Sequence, residues 1–109
     1  MNQVPEPPYW AVVFTSFRTG LDEIGYEKTA ARMLELAAEQ PGYLGIDSVR
    51  DADGVGITVS YWSDPESIRK WRNVAEHLAA QEKGRSTWYG DFRLRICRVE
   101  REYGLPGDS

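Results

Sequence analysis

Cysteine and histidine are almost missing from this chain: Cys97 and His77 are the single examples of each in 109 residues. One cysteine can close no internal disulfide, and no Cys-x-x-Cys pair exists to hold a metal or run redox chemistry. Cys97 therefore reads as a small apolar strand residue rather than a reactive thiol. Positive charge is scarce as well. Thirteen Lys and Arg against seventeen Asp and Glu leave a net charge of −4, which opposes binding to nucleic acid or to an anionic membrane. No apolar run is long enough to cross a bilayer, and there is no repeat or low-complexity block. Neither a glycine-rich phosphate loop nor a cluster of metal ligands is present. The opening MNQVPEPP lacks the basic start, apolar segment and cleavage signal of a secretory leader, so residues 1–8 read as a short extended tail. These absences describe a cytoplasmic domain with neither nucleic acid nor membrane as a partner.

What the chain does have is aromatic side chains. Four Trp, six Tyr and three Phe within a 41% apolar composition are enough for one folded core, and the length allows no second. Tyr9 to Arg18, YWAVVFTSFR, is rich in aromatic and β-branched residues and flanked by Pro8 and Gly20, as a strand should be. Tyr26, Ala30, Met33, Leu34 and Ala37 form one stripe of an amphipathic helix, which Pro41-Gly42 ends. Tyr43–Arg50 and Val55–Trp62 read as strands joined by DADG, a hairpin turn closing on glycine. SDPE then predicts a capping box, with Ser63 as the cap and Glu66 answering it, and Pro65 fits the first turn. That second helix is expected to run to about Lys83 and stop at Gly84, with Ile68, Trp71, Ala75, Leu78, Ala79 and Glu82 on one stripe. STWYG reads as a connector, and DFRLRICRVEREY as the last strand, with Phe92, Leu94 and Ile96 alternating against Arg93, Arg95 and Cys97.

The order β-α-β-β-α-β predicts an α+β, ferredoxin-like fold, with both helices on one side of a four-stranded antiparallel sheet. The first strand is apolar on both faces: Trp10, Val12 and Phe14 on one, Tyr9, Val13 and Phe17 on the other. A sheet face that the helices leave uncovered and that is still apolar marks a partner surface, and the expected partner is a second copy, sheet against sheet.

The stretch from QPGYLGIDSVRDADG to the end of VEREY resembles the antibiotic biosynthesis monooxygenase superfamily, and within it a group of small stand-alone bacterial proteins described as haem-degrading-monooxygenase-like. The likeness spans about 9–103, leaving 104–109 as a C-terminal tail. It rests most specifically on YWSDPESIRKW and on EHLAAQEKGRSTWYGDFRLRICRVEREY. It implies a dimeric α+β barrel with a pocket between sheet and helices in each subunit. Two activities come with it. One is cofactor-independent oxygenation of a small phenol- or quinol-type aromatic. Under that reading His77 is the base, Trp62, Trp71, Trp88 and Tyr89 are walls, and Arg93 or Arg95 holds the phenolate; no metal is needed, because the deprotonated substrate can itself reduce oxygen. The other is haem cleavage, for which the resemblance implies a helix histidine on iron, a tryptophan pressing on the porphyrin and an asparagine in the first strand. Trp71 fits that tryptophan, but the histidine position falls on Gln81 and the first strand holds no asparagine. A non-catalytic dimeric ligand-binding protein is the third reading.

Each of these residues also has a purely architectural explanation. At about 100° per residue, His77 lies roughly 150° from the centre of its helix's apolar stripe and belongs to the solvent side. Trp71 on the stripe is core packing, and Trp62 is either core or pocket wall. Trp88 and Tyr89 need burial by a partner or a pocket lid, and Arg93 and Arg95 suit ion pairs with Asp91, Glu100 or Glu102.

Overall fold

The computed structural model describes residues 6–81 and 88–105, with side chains for all of these except 79–81. Its elements are β1 (Tyr9–Arg18), α1 (Glu23–Ala38), β2 (Tyr43–Arg50), β3 (Val55–Trp62), α2 (Pro65–Gln81) and β4 (Tyr89–Val99). The strands form one sheet in the order β2-β3-β1-β4, and every adjacent pair is antiparallel. This is the expected α+β arrangement. The expected bounds of β1, β2 and β3 coincide with the observed ones, because alternation and flanking Pro or Gly mark both ends of each.

The register separates two sheet faces. Trp10, Val12, Phe14 and Ser16 of β1 stand beside Trp62, Ser60, Thr58 and Gly56 of β3 and beside Arg98, Ile96, Leu94 and Phe92 of β4. This is the helix side, since the buried cluster Val12, Ala37, Trp62 and Ile68 joins it to both helices. Trp62 is fully buried. Its indole stacks on Trp71 at 6.1 Å and 22° and meets Tyr43 edge-on at 5.7 Å. Its N–H donates to Ser60 Oγ at 2.9 Å, so the one polar atom of the plug is satisfied.

Four expectations are corrected. The N-cap of α2 is Asp64, not Ser63: the Ser67 N–H donates to Asp64 Oδ1 at 2.8 Å, and Ser63 Oγ donates to Oδ2 at 2.9 Å. These two hydrogen bonds, the backbone one first, hold the Asp64 carboxyl below its ordinary range. Glu66 is left to pair with Arg69 at 2.5 Å. On α1, Thr29 and Ala37 are buried while Leu34 is 49% exposed; the inward stripe runs through Thr29 and Met33 and leaves Leu34 one step outside it. Tyr89 and Gly90 belong to β4 rather than to a connector. At its far end β4 stops at Val99, because Val99 pairs with Tyr9 and β1 offers no earlier partner. The expected end of α2 at Lys83 and Gly84, and Glu82 of its stripe, lie outside the described residues.

Gly42 ties the two helix-bearing halves together. It has φ +84°, and a Cβ there would fall 2.2 Å from Ser67 Oγ, while its carbonyl accepts from the Ser63 N–H at 2.8 Å. Only glycine permits both the left-handed turn and that close approach.

Two substitutions test this packing. Trp62→Ala should cost about 3–5 kcal/mol in urea unfolding, as large core truncations do. Asp64→Ala should lower the melting temperature by more than Ser63→Ala, which reverses the order expected of a Ser63 cap.

Candidate functional site

The residues singled out from the sequence do not converge. Trp62 and Trp71 spend their faces on each other in the core. Trp88 and Tyr89 sit at the other end of the helix side. Arg93 and Arg95 pair in register with Thr15 and Val13, which places them on the sheet face away from the helices, exposed and without an ion pair among the described residues. The expected pairing of these two with Asp91, Glu100 or Glu102 is therefore not found; Glu100 pairs instead with Arg98 at 3.3 Å.

His77 is exposed, yet it does not face open water alone. It lines a groove of about 560 Å³ between the helices, together with Arg32 and Leu36 of α1 and with Asn73, Val74 and Leu78 of α2. Leu36, Val74 and Leu78 give this groove an apolar bed, while His77, Asn73 and Arg32 supply polar groups; Arg32 is steadied by Glu35 at 3.0 Å. Its volume lies within the range of small-molecule sites. Trp71 is not among its walls; its indole faces Trp62 instead. Arg32, Leu36 and Asn73 were not singled out from the sequence. A helix-side arginine or asparagine carries no signal until the neighbouring helix is placed.

Trp88 is buried at 3% exposure. Its indole N–H donates to Asp22 Oδ2 at 3.2 Å, and Asp22 Oδ1 caps α1 by accepting from the Gly25 N–H at 3.2 Å. One carboxylate thus anchors both the start of α1 and the entry to β4. Tyr26 meets Trp88 and Tyr89 edge-on at 5.8 and 6.0 Å, and Tyr89 in turn packs on Phe14 and Phe92. Burial, and then Tyr26 beside it, push the Tyr89 phenol well above its ordinary ionisation range. These rings act as structural packing between α1 and the sheet.

On the far side of the sheet Tyr9 donates to Glu102 Oε1 at 2.5 Å and Tyr61 donates to Asp47 Oδ2 at 2.8 Å, with the two rings in a T-shaped contact at 5.9 Å. Burial first, and then the carboxylate each phenol serves, push both tyrosines up to about 12. Among the described residues no group of three His, Cys, Asp or Glu side chains is placed to hold a metal, and no helix is long and apolar enough to cross a membrane.

Comparison with known proteins places this geometry in context. The family model for antibiotic biosynthesis monooxygenases matches residues 20–83. The uncharacterized protein YqjZ of Bacillus subtilis is 53% identical over 102 residues, covering 94% of this chain and 89% of that protein. The jasmonate monooxygenase ABM of Pyricularia oryzae is 42% identical over 43 residues, 39% of this chain and 20% of that protein. Among solved structures, SnoaB, a cofactor-independent oxygenase from Streptomyces nogalater, superposes with a TM-score of 0.66 at 16% identity, covering 92% of this chain and 99% of that one. At that identity the likeness is one of fold.

The tyrosine–carboxylate pairs predict a response to alkali. A phenol whose pKa rises on folding favours the folded state fully below its unfolded value of 10.0, and that contribution is lost as pH climbs towards about 12. Melting temperature should therefore fall across that window, with late phenolate absorbance at 295 nm. In Tyr9→Phe and Tyr61→Phe the decline should be shallower; an equally steep decline in both variants would refute the assignment.

Proposed function

Because the chain belongs to the antibiotic biosynthesis monooxygenase family, we propose that it oxygenates a small phenol- or quinol-type aromatic bound in the groove between α1 and α2, without a resident cofactor. The observation that carries this reading is the position of His77, the chain's one imidazole, at the edge of an apolar groove that also holds Arg32 and Asn73. The cofactor-free part draws support from SnoaB, which shares the fold and is described as a cofactor-independent oxygenase.

His77 accepts the hydroxyl proton of the bound aromatic, within hydrogen-bond reach as general-base catalysis requires. Arg32 stabilises the resulting phenolate, and Asn73 donates a hydrogen bond to it. Leu36, Val74 and Leu78 give the aromatic ring an apolar bed to pack against. The phenolate gives one electron to O₂, and the substrate radical and superoxide combine into a C–O bond. The peroxide so formed takes a proton from His77. The O–O bond then breaks as the same carbon loses its remaining proton. In sum a CH₂ group and O₂ become C=O and H₂O, with both electron pairs supplied by the substrate. The walls of this site are aliphatic, so Trp62, Trp71, Trp88 and Tyr89 serve as scaffold in this proposal, and Arg93 and Arg95 lie on the other face of the sheet.

That other face supports the second half of the proposal, a homodimer. Phe17, Val49 and Ile57 are 46%, 69% and 41% exposed and share it with Val13 and Val59. A two-fold axis running along the strands would lay the β4 edge, with Arg93 and Arg95, over the Asp47-bearing β2 edge of a second copy, so opposite charges would meet.

Two measurements decide these points. Oxygen uptake on adding an anthrone or a quinol should follow the protein and drop by at least ~100-fold in His77→Gln, the lower end for loss of a general base; no uptake with either substrate, or full activity in the variant, refutes the catalytic reading. In sedimentation the chain should run as a dimer, and Ile57→Glu should convert it to monomer. A monomeric wild-type protein removes the proposed assembly.

A further inference from the structure

We propose that the end of the helix-side sheet around Arg50 is a binding site for a small carboxylate, separate from the inter-helix groove and independent of any activity there. Arg50 closes β2 opposite Gly56 of β3. A Cβ at Gly56 would come within 3.2 Å of Arg50 Nη2 and 3.6 Å of Ser16 Oγ. The missing side chain therefore lets the guanidinium lie across β3 instead of trailing into water. There Nη2 donates to Tyr26 Oη at 2.5 Å, with the guanidinium carbon 5.0 Å from the ring centre. Arg18 covers the same ring at 3.4 Å, so two cations converge on one phenol.

Their counter-charges are unequal. Glu23 pairs with Arg18, whose side chain is 7% exposed and whose buried Nε has no hydrogen-bond acceptor among the described residues. Arg50 is exposed and has no ion pair among the described residues. The adjacent carboxylate, Asp51, has turned its Oδ1 onto the backbone N–H groups of Asp53 and Val55 at 2.9 and 3.0 Å. One of the five N–H donors of a guanidinium is thus engaged by Tyr26, and the rest form the planar fork that suits a carboxylate. Beside it, two residues back along the same face, Ser48 Oγ and Thr58 Oγ1 make a hydroxyl pair at 2.8 Å, about 7 Å away at the rise of a strand.

The local balance selects the ligand class. With Arg18 paired to Glu23 and Asp51 turned onto the loop N–H groups, Arg50 is the one guanidinium here with no carboxylate on its fork among the described residues, which matches a monoanion better than a phosphate dianion. The carboxylate lies on Arg50, fixed in place by Tyr26, and the body of the ligand reaches the Ser48–Thr58 pair.

The test is titration of the whole purified protein with benzoate, followed by calorimetry and by intrinsic tryptophan fluorescence. Benzamide serves as the neutral control and inorganic phosphate as the competitor. Saturable benzoate binding is expected, with benzamide at least about tenfold weaker, equivalent to ~1.4 kcal/mol. Arg50→Gln, which keeps a donor for Tyr26 and removes the charge, should reduce affinity by a similar factor with an unchanged circular dichroism spectrum. Should that variant not fold, Ser48→Ala with Thr58→Val, on exposed or half-exposed hydroxyls, should weaken benzoate by severalfold. No saturation in the millimolar range, equal binding of benzamide, tighter binding of phosphate, or undiminished binding by the variants overturns the site.

Discussion

The stack of Trp71 on Trp62 is the contact from which the rest of the structure follows. Trp62 ends β3 and is sealed from water; Trp71 lies two turns into α2. Bringing these two large indoles together buries apolar area, and such area is the main favourable term in folding. Once Trp71 and Ile68 face the sheet, the rotation of α2 is set. Val74 and Leu78 then turn towards α1, and Asn73 and His77 line the same gap. His77 reaches the groove because the tryptophans hold the opposite side of its helix down.

The same stack explains how the two ends of the helix-side sheet differ. Near Trp62 the space is filled by Trp10, Tyr43, Trp71 and Ile68. Towards Gly56 the floor changes to Ser16, Thr58, Ser48 and Arg50, and the filling is a lattice of edge-on rings around Tyr26. The first end gives the fold its stability. The second keeps polar groups and a guanidinium within reach of solvent, where burying them without partners would cost more than leaving them wet. Asp22 manages both demands at once, capping α1 and accepting from Trp88.

Local pattern made the strands and helices legible, and tertiary placement decided everything that was not. β1, β2 and β3 could be bounded from alternation and flanking turn residues alone. The end of β4 could not, because it depends on where β1 begins. Ser63 and Asp64 are both good caps, and the choice between them rests on one hydrogen bond to Ser67. Trp71 read as core packing from its place on the stripe, while Trp62 looked equally suited to a core and to a pocket wall, since both environments bury an indole; the stacking of the two decides for the core. His77 was legible as a residue on the polar side of its helix, but the groove it lines requires Arg32 and Leu36 from another helix. Arg18, Arg50 and Tyr26 meet only through the register of three strands and the start of α1, and nothing in their spacing announces it.

The two faces of the sheet also divide the chemistry. On the side away from the helices, Tyr9 and Tyr61 each donate to a carboxylate, and burial together with that carboxylate keeps each phenol protonated to high pH. That arrangement keeps negative charge at fixed positions on an otherwise apolar surface, with Arg93 and Arg95 at the opposite edge. A face built this way is apolar enough to be covered and charged enough at its margins to select one orientation of whatever covers it. On the helix side Arg18 and Arg50 gather at the Gly56 end, while Arg98, in register with Trp10 at the other end, stays half-exposed and paired with Glu100. The apolar interior thereby stays continuous from Val12 to Ala37, and α2 holds His77 against α1 without a charge buried beneath it.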